Sequence, residues 1–448
     1  MRRVVITGLG AVSPHGLGVT AFWNALLEGK SSVNALTRFD PAAFASRVAG
    51  AIPPFKTMEF VPKSYRKATK IMARDIELAV VAADFAVRDG KLATKGVLET
   101  SGDKILGEGF AKLDPTRIGC NIGAGLICTD MDELSEAMIQ AKNPDGSFSL
   151  ARWGKSDDPA KTSGMDKLTP LWLLKYLPNM LACHVSIIHD TQGPSNTITC
   201  GQASAGLALA EACRTIQRGA ADVALAGGCE SKLHPMGLMR WSLLGRLTTT
   251  SNDNPSGACR PMDEAASGTV LAEGGAVLII EELEHARRRG ATIYAEIVGV
   301  GSSANAGDVT ESDATGEAPA AAVSKALREA GVAPDQVQLI VPPGSGVAAS
   351  DKADAAAIHR VFGADPKGAV LPMRGGIGDC GAGAQALDLV AATMALYSQT
   401  LPPAVNCPHP IEHLRVPQAK SAANLEYAVV LASALGGQNS AIVLKRYS

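Results

Sequence analysis

Aromatic residues make up only 4% of the chain, and neither sign of charge dominates: 42 Lys and Arg stand against 44 Asp and Glu. With a formal net charge of −2 and no basic run or aromatic–basic stripe, nucleic acid is excluded as a partner class. No apolar run approaches the roughly 18 residues that a membrane helix needs, so no membrane partner is expected. The opening MRRVVITGLGAV has a short basic start. Gly8 and Gly10 interrupt its apolar stretch and Ser-Pro-His-Gly follows, so it reads as an edge-to-core strand and not as a signal peptide. The nine cysteines, at 120, 128, 183, 200, 213, 229, 259, 380 and 407, are odd in number and include no CxxC pair. That excludes a disulfide frame and a zinc site, and points to buried thiols in a reducing, cytoplasmic setting. No Ser–His–Asp or metal-ligand spacing stands out among the eight histidines, so no metal is expected. His184, in LACHVSII, reads as a core histidine with its hydrogen bonds satisfied.

What the sequence has is length, 448 residues, and an ordinary globular balance of 46% hydrophobic and 19% charged residues, enough for a large core. Glycine is abundant, with 46 residues, which suggests tight turns and close backbone packing. Strands are expected at Val4–Thr7 (followed by a Gly-rich turn), Arg117–Ile122, Ser195–Thr199, Val223–Ala226, Gly275–Ile280, Ala295–Gly301, Leu339–Pro342 and Ala428–Leu431. Helices are expected at Thr20–Leu27, Asp75–Arg88, Ala203–Arg218, Ala318–Ala330 and Gln385–Tyr397. Leu92–Pro115 reads as a surface excursion, and 143–167, rich in Gly, Pro, Ser and alternating charge, as an exposed insertion. Alternating strands and helices argue for an α/β layered fold with covered sheets, divided here into 1–260 and 261–448.

Several long segments carry a resemblance. VVITGLGAVSPHGLG, RPMDEAASGTVLAEGGAVLIIEELEHARRRGATIYAEIVG, DKADAAAI, LPPAVN and the closing LGGQNSAIVL resemble the β-ketoacyl synthases, in order and over almost the full chain. The resemblance implies a thiolase fold: two related βαβαβ halves in a five-layer α-β-α-β-α arrangement. It also implies a dimer built through strands near the active site.

The family places a nucleophilic cysteine where a buried strand turns into a buried helix. The free N–H groups and partial positive charge of a helix N-terminus favour thiolate and bind the thioester oxygen. In this chain the junction reads TITCGQASAGLALAEA, and Cys200 and Gln202 compete for the position. The family cysteine lies eight residues after the proline of a GPS motif, here Pro194, and twenty before the Asp of the next strand, here Asp222. Both flanks select Gln202, and Cys200 would need compensating insertions on both sides. Cys200 also lies two residues earlier, roughly 6.5 Å back along a strand. Glutamine has no thiol to acylate, though it can donate and accept hydrogen bonds.

The family's two active-site histidines have also changed. VPPGSGVAASDK puts Pro343 in the first one's place, without a side-chain donor or even an N–H. RGGIGDCGAGAQALDL puts Asp379 in the place of the second and Arg374 in that of a lysine. A carboxylate there would repel a malonyl carboxylate. The family's GFGG gate reads ALGG, with Leu435 for the phenylalanine.

Within the family, Gln for Cys resembles the chain-length factors, which do not condense and which pair with an active ketosynthase. The resemblance implies a heterodimer with a ketosynthase alpha subunit, or else a homodimer, and an acyl carrier protein that brings substrate on its phosphopantetheine arm, with no other cofactor. Bulky apolar side chains would close the acyl tunnel at the subunit interface and set product length. Leu171, Trp172, Leu173 and Tyr176 are the candidates for that tunnel and interface, with Gly123–Met131 as a second lining. Two alternatives stay open: a malonyl-carrier-protein decarboxylase of the Gln-for-Cys type, and an active β-ketoacyl synthase using Cys200.

Overall fold

The computed structural model describes residues 1–156 and 162–448. The first half builds β1 (Val4–Ser13), α1 (Arg74–Asp89), β2 (Ile118–Ala124), α2 (Met180–His189), β3 (Ser195–Ile198), α3 (Ser204–Gln217), β4 (Val223–Ser231) and β5 (Glu273–Glu282). The second half repeats the series with β6 (Ala295–Ala304), α4 (Glu317–Ala330), β7 (Leu339–Val341), α5 (Ala348–Phe362), β8 (Ala369–Val370), α6 (Ala384–Ser398), β9 (Tyr427–Ser433) and β10 (Gln438–Arg446).

The pairing repeats as well. β2 runs parallel to β3 and β4, while β5 is antiparallel to β4 and β1. Likewise β7 runs parallel to β8 and β9, while β10 is antiparallel to β9 and β6. The halves meet at an antiparallel contact of β1 with β6, Val4 opposite Ile297 and Ile6 opposite Ala295. The topology places the joint later than the 260/261 division drawn from the sequence. β5 hydrogen-bonds to β1 and β4 and so belongs with the first half, and the connection 283–294, with its short helix Leu283–Arg288, joins the two.

The alternation along the strands decides the layering. In β4 and β5, Ala224, Ala226, Leu278 and Ile280 face one core, with α3 and α6; Val223, Leu225, Val277 and Ile279 face another, with α1 and α2. In β9 and β10, Val430, Ile442 and Leu444 join the α3/α6 core, while Val429, Leu431 and Val443 pack with α4 and α5. The result is five layers, with α3 and α6 sandwiched between the half-sheets. The fold is the expected layered α/β arrangement.

Some local expectations change. The glycines after Thr7 do not end the first strand, which runs on to Ser13. A Cβ on Gly10 would stand 2.0 Å from the Ala82 carbonyl oxygen, so these residues let α1 lie directly on the strand. The stretch 92–115 is not only a surface excursion: it forms the helix Lys95–Ser101 and buries Leu92, Val97 and Ile105 against α1 and α2. The insertion carries a short helix, Leu150–Gly154, capped by Ser149; its residues 157–161 lie outside those described. Among the described residues no helix is long and apolar enough to cross a membrane.

Candidate functional site

The duplication sets up two equivalent helix entrances. Cys200-Gly201-Gln202-Ala203 makes a 3-10 turn into α3, and Cys380-Gly381-Ala382-Gly383 makes the same turn into α6. Each turn needs a residue in the left-handed region after its cysteine, and glycine supplies it: φ is 54° at Gly201 and 56° at Gly381. By this symmetry the counterpart of Gln202 is Ala382.

Gln202 reaches across to the second half. Its Nε2 donates to Asp379 Oδ2 at 3.0 Å. Asp379 Oδ1 accepts the Gly381 N–H at 2.8 Å. The Asp379 backbone is held on both sides, its N–H donating to Val270 O (2.8 Å) and its carbonyl accepting from Ala272 N (3.0 Å). Asp379 is buried, at 3% exposure. The next N–H of the second entrance, that of Ala382, donates to Glu230 Oε2 at 2.6 Å, and Glu230 Oε1 accepts from Lys232 Nζ at 3.0 Å. The second entrance is thus filled by two carboxylates, which suits the positive end of a helix.

Arg374 is fully buried. Its Nη1 and Nη2 donate to Asp388 Oδ1 and Oδ2 at 2.5 and 2.8 Å. Burial works against the Arg374 charge, but Asp388 more than restores it, and the pKa lies above the ordinary arginine value. Pro343 is buried at the start of a turn that α5 holds in place: Asp351 accepts from the N–H groups of Met262, Ser345 and Gly346, and Asp354 from that of Gly344. Burial pushes Asp351 up to about 6 and Asp354 well above the usual carboxylate range, where the neighbouring Asp351 adds to the shift.

Gln202, Pro343, Arg374, Asp379 and Leu435 all line one cleft, together with Trp241, Arg246 and Asp354. Among the described residues no cysteine or histidine lines it. Cys200 is half-buried, its N–H donates to Ser204 Oγ at 2.8 Å, burial raises its thiol pKa, and it is not part of the cleft wall.

Leu171, Trp172, Leu173 and Tyr176 lie elsewhere, on and beside the 3-10 turn Trp172–Tyr176. Leu171 and Leu173 are 63% and 53% exposed, and Trp172 packs on Tyr176 with ring centroids 5.8 Å apart. Tyr176 Oη donates to Glu133 Oε2 at 2.7 Å and accepts the Asp130 N–H at 3.2 Å, which ties this segment to Gly123–Met131 and the helix after it. His184 is buried with Nδ1 at 2.9 Å from the Tyr65 hydroxyl, but its Nε2 has no partner among the described residues, so only half of its expected satisfaction is present. Sequence reasoning missed Glu230, Lys232, Asp354 and Asp388. Charged residues just past or inside buried apolar elements were the available signal.

Fold and cleft together define a duplicated five-layer α/β protein whose site sits at paired central helix entrances. The family model of the β-ketoacyl synthase N-terminal domain matches residues 1–286 and that of the β-ketoacyl synthase C-terminal domain matches 294–408. A 3-oxoacyl-[acyl-carrier-protein] synthase 2 of Coxiella burnetii is 32% identical over 99% of both chains. A putative polyketide β-ketoacyl synthase 1 of Streptomyces cyaneus is 31% identical over 99% of this chain and 98% of its own. Among solved structures, a type II polyketide ketosynthase in complex with its acyl-carrier protein and bound to a hexaketide superposes with a TM-score of 0.81 at 28% identity, and the ishigamide ketosynthase/chain length factor with 0.81 at 25%; both cover all of each chain. The chain belongs to the β-ketoacyl synthase family.

Proposed function

We propose that this chain is a non-condensing subunit of the chain-length-factor kind, which pairs with an active ketosynthase and helps shape the tunnel for an acyl chain delivered by a carrier protein. The observation that carries this reading is the amide of Gln202 at the entrance to α3, in a cleft with no cysteine or histidine in its wall among the described residues. An amide cannot open a thioester by nucleophilic attack. Pro343 and Asp379 offer no imidazole to a malonyl group, and Leu435 stands at the gate position. The exposed Leu171 and Leu173 beside the packed Trp172 and Tyr176 suit an apolar contact with the partner and the tunnel wall. The ishigamide ketosynthase/chain length factor is a relative of like fold whose name carries this role.

A second reading, a working synthase that uses Cys200, is favoured by the synthase names of the relatives near 30% identity. Co-expression with a ketosynthase encoded beside this chain separates the two. The proposed subunit forms no product alone, co-purifies with the partner, and alters product length when Trp172 is changed. Condensation by the purified chain without a partner contradicts the proposal.

A further inference from the structure

We propose that Asp379 is a positioning residue for Gln202: it holds the amide as a fixed crossbar over the entrance to α3, so that the site is silenced by the pair and not by the lack of a sulfur alone. The inference rests on the reading of this chain as a non-condensing subunit.

The geometry leaves the carboxylate little freedom. One oxygen accepts the Gly381 N–H, the other accepts Gln202 Nε2, and the backbone on both sides is bonded to Val270 and Ala272. A carboxylate can only accept here, so it selects the amide's NH2 end and turns the carbonyl end away. The partners come from opposite halves of the duplicated fold, and the bond therefore ties one helix entrance to the other. The charged groups around it are largely committed: Lys232 to Glu230, Arg374 to Asp388, and Arg246 to the Ser350 hydroxyl, with Asp354 across the cleft. No side chain other than Gln202 hydrogen-bonds to Asp379 among the described residues.

A thiol introduced by Gln202→Cys would then sit at a helix N-terminus, which favours thiolate, but beside a carboxylate, which opposes it. The carboxylate carries a full charge and the helix end about half of one, so the carboxylate is taken as the stronger influence. The substitution alone should give a sluggish thiol, and neutralising Asp379 should release it.

The test uses the full-length chain and reads alkylation by iodoacetamide at position 202 by peptide mass spectrometry, between pH 6 and 9. Gln202→Cys/Asp379→Asn is expected to react at least about tenfold faster at pH 7 than Gln202→Cys, with the midpoint of its pH profile lower by about one unit. Gln202→Cys/Asp379→Glu, which keeps the charge, should stay slow. If the Asn variant does not fold by circular dichroism, Asp379→Ser takes its place in the comparison. Equal rates in the single and the neutralised double variant overturn the proposal, as does a fast Glu variant, which would mean that opening the site and not removing charge is what matters. Neither partner pairing nor product formation enters this readout, so its failure is distinct from failure of the proposed function.

Discussion

Gln202 and Asp379 are 177 residues apart in sequence and joined by a hydrogen bond of 3.0 Å, Nε2 to Oδ2. Each residue departs from what the β-ketoacyl synthase resemblance implies, and each departure supplies the partner of the other. The carboxylate that the sequence sets against a malonyl group is instead occupied by an amide and by a backbone N–H. What remains at the centre of the cleft is an amide bonded to a carboxylate, an internally paired couple of side chains where a nucleophile would have to be exposed.

The Arg374–Asp388 pair is buried on both sides, with side-chain exposures of 3% and 0%. Asp388→Ala would leave the guanidinium without its partner inside the core. The expected loss is about 3–5 kcal/mol, measured by urea unfolding. A loss below about 1 kcal/mol would mean that water or another carboxylate reaches Arg374.

Asp75 on α1 is buried and accepts the Ser231 N–H at 3.1 Å; burial first, then the neighbouring Glu230, push its pKa up to about 8. A raised carboxyl pKa means that the folded state holds the proton more tightly than the unfolded chain. Its contribution is fully present below about pH 4 and is lost as the pH rises to 8. Asp75→Asn keeps the acceptor and removes the ionisation. The variant should become more stable than the parent as pH rises from 4 to 8, read from thermal unfolding at each pH. A constant difference between the two would contradict the assignment.

Asp222 shows the opposite sign. Arg117 and Arg2 donate to its carboxylate and hold it well below the usual carboxylate range. Its contribution is present above about pH 4 and disappears as the pH falls below that value. Because the side chain is 23% exposed, the cost of Asp222→Asn at pH 7 should be modest, about 1 kcal/mol, and should shrink in acid. A cost that grows on acidification would rule this out.

Leu171 and Leu173 present apolar surface to solvent. If they form part of the contact with a ketosynthase, Leu173→Glu should weaken co-purification at least about tenfold, a loss of roughly 1.4 kcal/mol or more, while leaving the chain's own melting temperature unchanged. Undiminished pairing would move the interface elsewhere.

Much of this site was legible in the sequence. Pro194 and Asp222 flank Gln202 at spacings that choose it over Cys200, and the structure puts Gln202 on the cleft wall and Cys200 off it. Pro343, Arg374, Asp379 and Leu435, read from three separate segments, line that same cleft. What could not be read was pairing. Nothing in either local pattern tells Gln202 to bond Asp379, Arg374 to bond Asp388, or Glu230 to fill the second helix entrance, because these contacts exist only once the halves close on each other. The strand β1 misled for a related reason: its glycines look like a turn locally, and their purpose, contact with α1, lies about 70 residues further on.

The proposed role requires that this chain carry no acyl group on its own. Incubating it with acyl- and malonyl-loaded carrier protein, followed by intact and peptide mass spectrometry, tests that directly. The expected result is an unmodified mass and no adduct on the peptide spanning Cys200 and Gln202. An acyl group found on Cys200, accompanied by release of free carrier protein, would contradict it and make the chain a condensing enzyme.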